Sequence, residues 1–73
     1  MGTKSQIQEI GQAAPVWVDE RRVAGVTGIA LQTLRNWRFQ GTGPPYFKIG
    51  RSVRYRLNDI LAFMEERRVD PLE

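Results

Sequence analysis

Between Gly28 and Gly41 the sequence leaves room for one short helix, and the residues it would contain sort onto two sides. At about 100° per residue, Leu31, Leu34 and Trp37 share one side, while Gln32, Arg35, Asn36 and Phe39 point the other way. Such a segment must bury one face against a core. The other face carries forked donors and acceptors. Gln, Arg and Asn side chains match the edges of bases in a major groove, and the Thr33 hydroxyl can reach a phosphate. An ordinary solvated amphipathic helix shows a similar pattern, so the flanking sequence has to decide.

From Arg21 through Asn58 the chain carries Arg21, Arg22, Arg35, Arg38, Lys48, Arg51, Arg54 and Arg56, and no Asp or Glu. The formal net charge of +3 understates this segregation, because every acid lies nearer an end. A long stretch of one sign fits a polyanionic partner. The segment is therefore expected to be a recognition helix for double-stranded DNA, with Gln32, Arg35, Asn36 and Phe39 facing bases.

Seventy-three residues make one small domain, close to the lower limit for stability without covalent or metal staples. Neither Cys nor His is present. Disulfides and the usual zinc sites are thereby excluded, and a reducing, cytoplasmic setting is the default, nucleoid-associated when DNA is bound. No apolar run reaches membrane-spanning length and the start lacks a secretory pattern. Catalysis has little to work with: Asp19-Glu20 and Glu65-Glu66 are better explained as helix-end acids, and the Gly41-Thr42-Gly43-Pro44-Pro45 run lacks the Lys-Ser or Lys-Thr of a phosphate loop. No enzyme activity, cofactor, metal or small-molecule substrate is expected.

Met1 to Pro15 is polar, with only Ile7 and Ile10 as isolated large apolar residues after the initiator, and reads as a flexible arm able at most to form a short helix on a partner. A domain from 16 to 70 follows, and 71–73 form a tail. Asp19 stands where a helix N-cap belongs, with Val18 and Val23 at hydrophobic-staple spacing. The first helix is expected from Glu20 to about Thr27, burying Val23 and Ala24 with Val26 or Thr27, and leaving Arg21 and Arg22 outside to meet phosphate or water. Gly25 within it calls for a close backbone approach. Gly28 supplies a left-handed turn, Ile29 plugs the angle, and Ala30 opens the second helix without a capping side chain. Arg38, at the edge of the buried face, is expected to pack its stem and reach a phosphate or a carboxylate. Phe39 is expected to fold back onto the next segment, with contact to a thymine methyl as the alternative.

Pro44-Pro45 prevents the helix from resuming, and Tyr46 to Arg56 alternates as a hairpin. Placing Phe47, Ile49, Val53 and Tyr55 on one core face puts Ile49 opposite Val53, with Gly50-Arg51-Ser52 as the loop. Lys48, Arg54 and Arg56 then share the outer face for phosphates, together with Ser52, and Arg51 at the tip is placed to enter a minor groove. A solvated hairpin whose basic residues discourage edge pairing is the plainer alternative. Asn58 is expected to cap a third helix, Asp59 to about Arg68, that buries Ile60, Phe63 and Met64. Leu61 lies off that stripe and could contact a neighbouring protein.

Three helices plus a two-stranded wing, mainly α, make a winged helix-turn-helix. Val18-Asp19-Glu20, Val23-Ala24, Gly28-Ile29, Thr33-Leu34-Arg35, Trp37, Gly50-Arg51 and Arg54-Tyr55 resemble, in order and spacing, the excisionase and prophage-regulator family of MerR-like winged helix-turn-helix proteins. The likeness runs from Val16 to Arg68, with departures at Thr27, Ala30 and Phe39. The resemblance implies an architectural DNA binder that bends an attachment site, often as several copies side by side, and steers an integrase towards excision. A chain ending at Glu73 is expected to carry no effector domain. A small prophage transcriptional regulator is the alternative within DNA binding. An adaptor for another protein through Trp17, Leu61 and the tail is the alternative outside it.

Overall fold

The computed structural model describes residues 15–72, so all of the expected arm but Pro15 lies outside the described residues. In chain order the elements are β1 (Trp17–Val18), α1 (Glu20–Thr27), α2 (Leu31–Gln40), β2 (Phe47–Ile49), β3 (Ser52–Arg56) and α3 (Leu57–Glu66). Three helices and a small antiparallel sheet make a mainly helical winged helix-turn-helix, as the sequence led one to expect.

The turn between α1 and α2 is set locally. Asp19 is extended and its Oδ1 accepts from the Arg22 N–H at 2.9 Å, satisfying one of the free amides of the first turn. Gly28, at φ 78°, donates its N–H to the Ala24 carbonyl. Thr27 pins the corner from its side chain: Oγ1 donates to the Val23 carbonyl at 2.7 Å and accepts from the Ile29 N–H at 3.0 Å. Val26 is left exposed, so Thr27 is the residue that completes the inner side of α1. The close backbone approach expected at Gly25 is absent, since a Cβ there would meet nothing within 4 Å. No packing in the structure explains this glycine. Ala30 begins α2 without a side-chain cap, and Gly41 at φ 75° ends it.

The core is Val23, Leu34, Tyr55 and Ile60, with Val18, Ala24, Ile29, Trp37 and Val53 packed around them. Each helix and the central strand contributes one of those four residues. In so small a domain each of these four elements is therefore needed to bury the others' apolar faces. Phe63 is buried beside this cluster, and its ring meets the Trp37 indole at a centroid distance of 5.6 Å.

The two-stranded wing is joined by a strand that was not expected, and the hairpin register and the cap, end and burial of the last helix are corrected. The sheet has three strands, in the order β1-β3-β2, because Trp17 pairs with Arg56 and Val18 with Tyr55. Two residues are too short a run to show alternation, and the strand exists only because β3 lies beside it. The hairpin register is also shifted by one: Ile49 faces Ser52, Lys48 faces Val53 and Phe47 faces Arg54. Gly50 at φ 61°, followed by a non-glycine of negative φ, fits the two-residue type II′ turn that matches strand twist, so the loop is Gly50-Arg51 alone. Phe47 and Ile49 accordingly lie on the face of Arg54 and Arg56, while Lys48 falls on the phase of Val53 and Tyr55 rather than across from Arg54. Finally, β3 runs directly into α3, whose first residue, Leu57, gives its N–H to the Val16 carbonyl at 2.9 Å. The cap position is Arg56, without a side-chain bond, and Asn58 sits inside the first turn. The helix stops at Glu66, and Met64 is at its half-open rim rather than in the core.

Candidate nucleic-acid interface

The polar face of α2 is open. Gln32, Arg35, Asn36 and Phe39 are all exposed, and Leu34 on the opposite side is fully buried. Thr33 is half-buried at the edge. Gln32 Nε2 donates to Asn36 Oδ1 at 3.0 Å, one turn apart, which holds two base-matching amides side by side. Phe39 does not fold back onto the following segment and is 93 % exposed. The cause lies beyond Gly41: the chain crosses the Trp37 side of the helix, where Gly43 rests against the indole, and so leaves the Phe39 side uncovered.

Arg35 and Arg38, one turn apart on α2, converge on a single carboxylate from α1. Arg35 reaches Glu20 through Nη2 at 2.6 Å and Nε at 3.2 Å. Arg38 Nη2 donates to the other oxygen of Glu20 at 3.0 Å, and its Nη1 donates to the Tyr55 hydroxyl at 2.7 Å. The expected carboxylate partner of Arg38 is thus Glu20. The hydrogen bond from Arg35, aided by Arg38, lowers the Glu20 pKa below its ordinary value against the opposing effect of burial. The Arg35 pKa is raised in turn by its hydrogen bond to Glu20.

The wing supplies the neighbouring charge. Arg51 at the tip and Ser52 beside it are exposed, and Lys48 is exposed on the other phase of the hairpin. Arg54 is half-buried, with Nη1 bonded to the Val53 carbonyl at 2.8 Å. Arg21, Arg38, Arg51, Ser52 and Arg54 line one open groove together with Asp19 and Glu20, so the start of α1 and the wing meet beside α2. Arg22 lies in the adjoining depression with Trp17 and Arg54. Arg56 is placed differently. Its guanidinium lies 5.3 Å from the Trp17 ring centre and 5.2 Å from that of Phe47, and its Nε is buried without a partner among the described residues. Trp17 and Phe47 themselves meet edge to face at 4.8 Å.

Two features of this surface were not foreseen from sequence. Glu20 passes as a helix-start acid, although its place at the edge of an acid-free stretch was a usable signal. The Trp17–Phe47–Arg56 stack depends on the third strand and left no sequence signal.

Among the described residues no group of three or more His, Cys, Asp or Glu could hold a metal ion, and no helix is long and apolar enough to cross a membrane. No curated protein matches the chain. A family model described as a helix-turn-helix domain matches residues 20–68, a span that contains both helices of the motif, the whole wing and α3. That match covers more than half of the sequence, and the chain belongs to the helix-turn-helix domain family.

Proposed function

We propose that this helix-turn-helix chain is a sequence-specific, architectural DNA-binding protein that acts as an excisionase, assisting an integrase in excising a phage or mobile element. The observation that carries DNA binding is the open Gln32–Asn36 pair on α2, with Phe39 beside it, flanked by the cationic groove of Arg21, Arg51 and Arg54. In this reading α2 enters a major groove, Gln32, Arg35, Asn36 and Phe39 meet bases, and Thr33, Arg21, Arg22, Lys48, Ser52 and Arg54 meet phosphates. Arg51 reaches the adjacent minor groove. A reader of both grooves can also bend the duplex, and several copies could line up on one site. The excisionase role draws its support from the resemblance of residues Val16 to Arg68 to that family.

Footprinting and bending assays on duplexes tiled across the neighbouring genomic DNA, followed by excision with the associated integrase, test the reading. A protected, bent attachment site and excision that requires the protein are expected. Excision indifferent to the protein, with protection at a promoter, replaces the excisionase role by transcriptional control. Absence of any salt-sensitive duplex affinity removes DNA binding and favours a protein-adaptor role.

A further inference from the structure

We propose that Glu20 is a specificity-determining residue for DNA binding: its carboxylate offsets the phosphate-seeking charge of Arg35 and Arg38 and fixes the Arg35 guanidinium so that Nη1 is presented to a base edge. The inference rests on the DNA-binding reading above. Between Arg21 and Asn58 the sequence has no acid, yet the fold turns the carboxylate just ahead of that stretch back onto the middle of α2.

Glu20 is not occupied in capping α1, because Asp19 already does that. Both of its oxygens go to arginines on α2 instead. The two arginines are left in different states. Arg38 has one terminal nitrogen on Glu20 and the other on Tyr55, and its side chain is only 18 % exposed, so it serves as a strut between α1, α2 and β3. Among the described residues, Arg35 commits Nε and Nη2 to Glu20 but makes no hydrogen bond through Nη1, and its side chain remains 46 % exposed on the base-facing side.

A guanidinium held this way discriminates between two kinds of acceptor. Phosphates are attracted by net charge, and a cluster of two cations and one anion offers less of it than two free arginines. A phosphate that pulled Arg35 away would also leave an unpaired carboxylate beside a polyanion. A base edge carries no net charge and asks for a donor in a fixed direction, which Nη1 supplies while the ion pair stays intact. Anchoring also lowers the rotamer entropy lost on contact.

The test compares the wild-type chain with Glu20→Gln and Glu20→Asp on the footprinted site and on an unrelated duplex, across a range of salt concentrations, with thermal melting as a check on folding. Glu20→Gln keeps the shape and loses the charge. It is expected to bind the unrelated duplex roughly three- to tenfold more tightly near physiological salt, with the slope of log K against log salt steeper by about 0.9 for each cation released. It should gain less, or lose, on the specific site, so the specificity ratio falls. Glu20→Asp keeps the charge but is too short to hold Arg35 in place. It should leave binding to the unrelated duplex near wild type and weaken only the specific site. An unchanged ratio and slope in Glu20→Gln, or equal losses on both duplexes in both variants, would overturn the inference while leaving DNA binding in place. A wild-type chain without salt-sensitive duplex affinity would overturn the DNA-binding reading and this inference with it.

Discussion

Gly43 lies directly against Trp37: a Cβ on the glycine would fall 2.8 Å from the Cβ of the tryptophan and 2.9 Å from its Cε3. The glycine also sits at φ +89°, a conformation that other residues adopt only under strain. Through this contact the segment leaving α2 is held on the Trp37 side of the helix, and the side carrying Gln32, Asn36 and Phe39 stays clear.

Gly43→Ala should therefore destabilise the domain by about 2 kcal/mol or more, combining left-handed strain with overpacking against the indole. Urea denaturation measures this directly. A midpoint equal to wild type would show that the Trp37–Gly43 contact is not tight in solution.

Trp37→Ala removes the other partner. The indole is half-buried rather than enclosed, so a loss near 3 kcal/mol, the low end of the range for large aromatics, is expected. A domain of this size has little more than that to spare, and circular dichroism should show it largely unfolded at 37 °C. A cooperative melt close to wild type would rule out Trp37 as an anchor of α2.

Two substitutions should add stability. A Cβ at Gly25 enters open space within α1, so Gly25→Ala should gain about 0.5 to 1 kcal/mol. Ala30 has the extended backbone of a cap and no capping bond, so Ala30→Ser should gain about 1 kcal/mol. The sites lie in different helices and the gains should add in thermal melts. A lower melting temperature for Gly25→Ala would reveal a packing demand that the structure does not show.

The Glu20 ion pairs make stability depend on pH. Because the native pKa of Glu20 is depressed, chiefly by the hydrogen bond from Arg35, its contribution is complete above the ordinary glutamate value and fades as pH falls through the lower native value. Wild type should exceed Glu20→Gln in denaturation midpoint at neutral pH by a small margin, since Arg35 is half-exposed and screened. That margin should close below the native pKa. A gap that persists unchanged into strong acid would assign the difference to packing rather than charge.

On DNA, the two groups of side chains should separate by the kind of loss they cause. Gln32→Ala and Asn36→Ala should each reduce discrimination between sequences by about 1 to 3 kcal/mol. Arg51→Ala and Arg54→Ala should weaken binding to every duplex and flatten the salt slope by about 0.9 each. Quantitative binding titrations on matched and unmatched duplexes read both effects. The opposite assignment of losses would exchange the roles of α2 and the wing.

What could be read from the sequence was whatever depends on neighbours a few residues apart. Helical periodicity placed Leu34 inward and Asn36 outward, Asp19 and Gly28 marked the ends of α1, and Gly41 marked the end of α2. Each of these follows from backbone geometry within one turn of helix, which tertiary packing did not override. Features that join distant parts of the chain were decided only by the folded structure. Apolar residues occur on both phases of Tyr46 to Tyr55, so alternation alone allowed two registers, and the two-residue turn at Gly50-Arg51 selected between them. The strand at Trp17–Val18 exists only beside β3, and Phe39 is left exposed while Gly43 holds the chain against Trp37. The partner of Arg35 was likewise undetermined until the angle between α1 and α2 brought Glu20, fifteen residues away, to 2.6 Å. Local rules choose the elements and their faces. Which charges meet is set by how those faces pack, because a Coulombic contact depends on spatial separation and not on separation along the chain.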